Sequence, residues 1–183
     1  MAAGDGLVIM TPTSIASAGA GSSASINADG GVDFTAVTSL SLNGVFASGF
    51  DNYIVVIRAV ASSAVNLNWR YRASGTDNTA NSYTVQRLDV ASTGVQGSRA
   101  TLTYTNSFQI DTNTGNGDVA HVYGPFLSQP TAHRIVSVYA ENGAAIYDTA
   151  TTHSASTSFD GFTLYTGNAN TVTGNIVVFG YEE

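Results

Sequence analysis

The chain has 183 residues, enough to bury roughly 70% of its unfolded surface around one core, and carries thirteen acidic against six basic residues for a net charge of −7. All six bases are arginine, so the acidic, lysine-free surface repels phosphate backbones and argues against a nucleic-acid partner. No cysteine is present, which excludes disulfides, thiolate catalysis and Cys-based zinc or iron-sulfur sites.

Residues 1–31 are rich in Gly, Ala and Ser and lack aromatics, a composition that buries too little to order itself. We read them as an N-terminal arm, either a loose terminus or a segment ordered by running across a neighbouring subunit, with Leu7 to Met10 and Ile26 as anchors. The apolar run Leu7 to Met10 is too short for a signal peptide and no later window is long enough to span a bilayer, so a soluble protein made in a cytoplasm is expected.

Residues 32–183 alternate in the manner of strands. Val32, Phe34 and Ala36 oppose Asp33 and Thr35, and Leu40 and Leu42 oppose Ser39 and Ser41, which is the pattern of half-buried strands. The stretch from Ser39 to Val60 organises the rest, bracketed by Asn43-Gly44 and Asp51-Asn52 turns. Its Tyr53, Val55 and Ile57 fall on one side and Ile54, Val56 and Val60 on the other, so a central strand covered on both faces is expected.

Val65, Leu67, Trp69 and Tyr71 then alternate with Asn66, Asn68, Arg70 and Arg72, placing Trp69 in the centre of the core and the polar set in water. Ala73 to Ser82 reads as a polar loop, Tyr83 to Val90 as a strand, Ala91 to Ser98 as a turn through two glycines, and Ala100 to Ile110 as one or two strands. Asp111 to Asp118 is a loop between strands; Val119 to Tyr123 and Arg134 to Ala140 flank Gly124-Pro125 and Gln129-Pro130, where proline interrupts pairing. A hairpin at Glu141-Asn142-Gly143 leads into Ala144 to Thr149, and the end comprises Phe159 to Tyr165, the loop Gly167 to Asn175, and Ile176 to Tyr181. About ten short strands with no sustained helical repeat predict an all-β fold, a two-sheet antiparallel sandwich of jelly-roll type with an extended N-terminal arm.

Positive signals for catalysis are absent from the motifs. His121, His133 and His153 have no metal-ligand spacing, and His121, alternating with Val119 and Tyr123, reads as a hydrogen-bonded structural histidine. Asp111, Asn113, Asn116 and Asp118 offer oxygens to calcium, but position 122 is valine where an EF-hand needs its closing acid, so a plain turn is the better reading. Asp160, Glu141 and Asp148 are the carboxylates considered for glycoside hydrolysis, although Asp160-Gly161 is explained by turn chemistry. No GxSxG elbow occurs. We therefore assign no catalytic, cofactor-binding or metal residue and expect a non-enzyme without cofactor. Asn66, Asn68, Arg70 and Arg72 form a polar stripe, either a solvated face with cross-strand salt bridges or, with Tyr71 or Tyr83 nearby, a grip for carboxylates or a sugar.

Thr38 to Val56 (TSLSLNGVFASGFDNYIVV), Leu67 to Tyr83 (LNWRYRASGTDNTANSY) and Phe159 to Tyr181 (FDGFTLYTGNANTVTGNIVVFGY), in this order, resemble small β-rich virion structural proteins of tailed bacteriophages, including cyanophages, among them head decoration (cement) and tail-fibre-like proteins. The resemblance implies a virion component assembled in the bacterial host cytoplasm. Under it the leading reading is a capsid decoration protein on the outer capsid surface, a homotrimer that binds the major capsid protein and stabilises the shell without nucleic acid or membrane. The alternative is a tail-fibre or receptor-binding protein recognising a host surface glycan, and a depolymerase on the same fold ranks last. No site residues carry over from the resemblance.

Overall fold

The computed structural model describes residues 6–91, 94–110, 112, 116–139 and 145–181. In chain order the strands are β1 (Val8–Ile9), β2 (Ser14–Ala18), β3 (Ser23–Ile26), β4 (Val32–Val37), β5 (Ser39–Asn43), β6 (Asn52–Ala61), β7 (Val65–Ala73) and β8 (Thr76–Asp77). They continue with β9 (Tyr83–Ala91), β10 (Gly94–Leu102), β11 (Thr105–Ile110), β12 (Asn116–Tyr123), β13 (Thr131–Tyr139), β14 (Ala145–His153), β15 (Gly161–Tyr165) and β16 (Val172–Tyr181). No helix occurs among the described residues. All pairings are antiparallel, and the strands form two sheets packed as a jelly-roll-type sandwich. One sheet has ten strands, ordered β10-β9-β14-β13-β12-β6-β16-β4-β3 with β1 also on β16; the other has six, ordered β11-β7-β15-β5-β2 with β8 on β7.

The core lies between the sheets where period-two alternation sends apolar side chains inward. Val65, Leu67, Trp69 and Tyr71 of β7 share one buried core with Tyr53, Val55 and Ile57 of β6. Trp69 is fully buried and stacks on Phe162 of β15, with ring centroids 3.9 Å apart and planes at 8°. Burial of a ring this size, with stacking of about 0.5–1.5 kcal/mol beyond area, makes the pair a main tie between β7 and β15, which are also in register at Leu164 and Trp69.

The organising strand is central as expected, between β12 and β16, but it is covered on one face only. Tyr53, Val55, Ile57, Ala59 and Ala61 are buried, whereas Val56 on the other face is 37% exposed and Arg58 is exposed. Apolar residues at both parities signal two covered faces only when a second layer exists on each, and the six-stranded sheet covers just one.

The strands also extend into segments whose glycines and polar residues read as loops. β10 begins at Gly94, β12 at Asn116 and β16 at Val172, and β8 interrupts the loop after β7. Gly174 explains the third case. A Cβ there would sit 2.2 Å from the Arg58 carbonyl oxygen, so glycine is what permits close approach to β6 beside the bulge that offsets β16 from β4. Across that bulge Ala36 takes a positive φ of 51°, and its amide donates to Thr173 Oγ1 at 3.0 Å.

Of the segment read as an arm, residues 8–26 contribute β1, β2 and β3, which pair within the same chain on β16, β5 and β4. The Met10 amide donates to the Val178 carbonyl at 2.8 Å and the Thr38 amide to the Ala18 carbonyl at 2.7 Å. Backbone pairing orders these residues although few are buried, a route that composition does not reveal.

Candidate functional site

The three histidines separate. His121 lies on the outer face of β12, in register with Ile54 and Arg134, and is partly exposed. The hydrogen-bonded structural histidines are instead His133 and His153, inside the sandwich. The Tyr71 hydroxyl and His133 Nδ1 are 2.6 Å apart, and the Ser82 hydroxyl and His153 Nε2 are 3.0 Å apart. Tyr83 donates its hydroxyl to the Asn78 carbonyl at 3.1 Å and accepts the Tyr71 amide at 3.0 Å. Burial drives His133 down to about 3, assisted by nearby His153, and drives His153 to about 4. A Ser82–His153 pair with so weak a base accepts a serine proton poorly; its evident work is to tie β14 to the loop before β9.

Among the described residues, the candidate carboxylates Asp148 and Asp160 do not converge. Asp148 is on the outer face of the ten-stranded sheet, where Arg134 Nε donates to its Oδ1 at 2.9 Å and holds its carboxyl below the usual range. Asp160 precedes β15 and accepts the Ser74 amide at 3.2 Å. Glu141, Asp111, Asn113 and the side chain of Asn116 lie outside the described residues. Asp118, the last member of the loop series, points into the sandwich and is fully buried, in line with Ile57 and Ser137. Neither of its carboxylate oxygens has a partner of ordinary hydrogen-bond geometry. Burial pushes it up to about 7, opposed in part by the nearby Ser137 hydroxyl and Val138 amide. Among the described residues, no three His, Asp or Glu side chains cluster as metal ligands.

The two outer faces of the sandwich differ in chemistry. On the ten-stranded sheet, Val56, Val119 and Val136 are in register across three strands, and Val138, Ile146, Val90 and Val95 across four. Leu88 adjoins Val90 on the same face of β9. Val138 is 50% exposed, Ile146 49% and Val95 66%. Together these side chains form an exposed apolar stripe on this face, interrupted at Asp148, which lies in register between Val136 and Leu88. At the far end β10 is an edge strand exposed on both faces along all but its last residue.

The polar stripe of β7 lies on the outer face of the six-stranded sheet, with Asn66 exposed, Arg70 and Arg72 partly exposed, and Asn68 buried beneath its neighbours rather than in water. Arg72 donates to Asn43 Oδ1 at 3.0 Å, Ser41 Oγ at 3.0 Å and Thr163 Oγ1 at 2.7 Å, and pairs with Asp77. Arg72 is thereby absorbed in a cross-strand network. The proposed aromatic neighbours Tyr71 and Tyr83 are on the other side of the sheet, buried in the core. The rings that do reach the stripe are Tyr165 of β15 and Tyr104 of the β10–β11 turn, 6.1 Å apart at 78°. Arg70 lies over Tyr165 at 4.6 Å and donates from Nε to the Thr103 carbonyl at 3.1 Å. Beside them opens a groove of about 570 Å³ lined by Tyr104, Tyr165, Asn66, Asn68, Thr166 and Asn168, among others.

Tyr165 was accessible to sequence reasoning, because Phe162 and Leu164 alternate with Thr163 and Tyr165 along β15. Tyr104 and Asn168 sit in turns, and only sheet order brings them to the same place. No protein-family model matches the chain, and no curated protein matches it in sequence.

Proposed function

We propose that this protein is a non-enzymatic structural component of a tailed-bacteriophage virion, a capsid decoration protein that assembles as a symmetric homotrimer and binds the major capsid protein on the outer shell. The observation that carries the reading is the exposed apolar stripe from Val56 to Val95 on one outer face, opposite a polar face. Stable interfaces bury about 800 Å² per partner, and this stripe with its polar margin and the open β10 edge supplies that order of area. The occupant is a second copy of the chain, turned so that the ten-stranded sheets face the three-fold axis. The acidic, lysine-free surface suits a shell protein that must not compete for packaged DNA.

Two measurements test the reading. Sedimentation equilibrium of the full chain should give a trimer, and a monomer at micromolar concentration removes the oligomer. Quantitative mass spectrometry of particles should give a copy number approaching that of the major capsid protein; a ratio of a few per cent, about what a tail's symmetry allows, moves the protein to the tail.

A further inference from the structure

We propose that the groove on the outer face of the six-stranded sheet binds a chain of neutral pyranose sugars. Such sugars carry a flat face of C–H groups and a rim of vicinal hydroxyls, and bind where an aromatic surface meets side-chain amides. Tyr165 and Tyr104 supply the aromatic corner, with planes at 78°. Arg70 occupies a position over Tyr165 and is tethered to the Thr103 carbonyl, so the ring is backed before any ligand arrives.

The amides complete the rim. Asn68 is in register with Tyr165 across β7 and β15, which fixes amide and ring side by side. Asn168 Oδ1 accepts the Asn170 amide at 2.9 Å, which leaves its NH2 as the recognising group. The Thr166 hydroxyl donates to the Asn168 carbonyl at 3.0 Å and holds that loop in place. Gly167 between them has φ of +71°, and a Cβ there would lie 3.2 Å from Asn68 Nδ2, so glycine lets the loop close onto the amide. The groove's size falls within the 300–1,000 Å³ range of small-ligand sites.

Charge selects within the class. Among the described residues no acid lines the groove, and the neighbouring Arg70 is already engaged. The chain's net charge of −7 repels polyanions, so neutral sugars are favoured over uronic-acid polymers. The groove lies opposite the apolar stripe and its binding does not depend on the virion reading.

The test uses the full chain labelled with nitrogen-15, titrated with maltohexaose, cellohexaose or mannohexaose to about 10 mM while the side-chain amide signals of Asn68 and Asn168 are followed. At least one neutral hexasaccharide should shift both signals saturably, and Tyr165→Ala and Tyr104→Ala should each weaken binding at least tenfold. Asn168→Ala, in an exposed loop, serves as a variant that leaves the core untouched and should weaken binding severalfold. No shift with any of the three, shifts that persist in both tyrosine variants, or tighter binding of a galacturonic-acid hexamer would overturn the proposal.

Discussion

Replacing Asp118 with Asn should shift stability in the variant's favour by an amount that grows with pH. The buried carboxyl is raised from 3.8 to about 7, which corresponds to about 4 kcal/mol of stability forgone once the group is ionised in the unfolded chain. Below pH 3.8 both states hold the proton and nothing is lost. Between 3.8 and 7 the unfolded chain releases its proton while the native state keeps it, so stability falls by about 1.4 kcal/mol per pH unit. Asparagine cannot ionise, and the fall disappears. Its buried amide introduces a constant cost of about 1–3 kcal/mol if poorly satisfied, but that offset does not vary with pH. The stability difference between Asp118→Asn and the native chain should therefore shift in favour of the variant by about 3 kcal/mol from pH 4.5 to pH 8. Urea denaturation followed by fluorescence of Trp69, the single tryptophan, measures it. A difference that stays constant across this range would show that Asp118 ionises normally, and the account of its burial would be wrong.

The histidines act in the opposite sense. His133 and His153 are depressed to about 3 and about 4, so their contribution is complete above pH 6.5 and is lost on acidification at about 1.4 kcal/mol per pH unit each. With Asp118 opposing, the native chain should lose about 1.4 kcal/mol per unit between pH 6.5 and 4, and His153→Gln should flatten that slope to near zero. If the proposed trimer forms, a Val138→Asp change at a half-exposed position should dissociate it in sedimentation while altering monomer stability by less than about 1 kcal/mol. Deleting residues 1–27 removes β1, β2 and β3 with the packing of Met10, Ile15 and Ala24 against the core; a loss of about 3–5 kcal/mol and aggregation through the bared edges of β4 and β5 should appear in denaturation and light scattering. Gly174→Ala, which drives a Cβ into the Arg58 carbonyl, should lower stability by about 2 kcal/mol or more in urea titration.

The sequence is legible where alternation is strict and one parity is polar. Along β7, Val65, Leu67, Trp69 and Tyr71 are all buried, and Arg70 and Arg72 face outward, as their spacing requires. Along β6 the parity of Val56 also carries Ile54 and Val60, and Arg58 is the charged residue that marks it as the face turned away from Trp69. β1, β2 and β3 escape notice because their order comes from backbone pairing at sheet edges, which leaves little trace in side chains. β10 escapes for a related reason: an edge strand open on both faces tolerates Gly94 and Gly97, so it reads as a turn. The stripe on β7 is visible as a motif, yet its aromatic partners come from β15 and a turn. Tyr71 alternates with Arg70 and Arg72, and that parity turns its ring into the core, away from the stripe.

The two outer faces permit a division of labour that neither sheet could support alone. Assembly requires apolar area withdrawn from water, and recognition of a sugar requires polar groups and rings left in it; on one sheet these demands compete for the same alternating positions. On the reading proposed above, the ten-stranded sheet would carry the first and the six-stranded sheet the second, with the Trp69–Phe162 stack of the six-stranded sheet facing the core between them. In such a proposed arrangement, a symmetric oligomer joined through the apolar faces would present every groove outward, and copies repeated over a shell would act together on a polymer. Multivalency would then strengthen retention over that of a single groove by orders of magnitude without any new contact. A weak, polar, single-site groove is consequently what a repeated surface module needs, because tighter individual sites would make attachment irreversible.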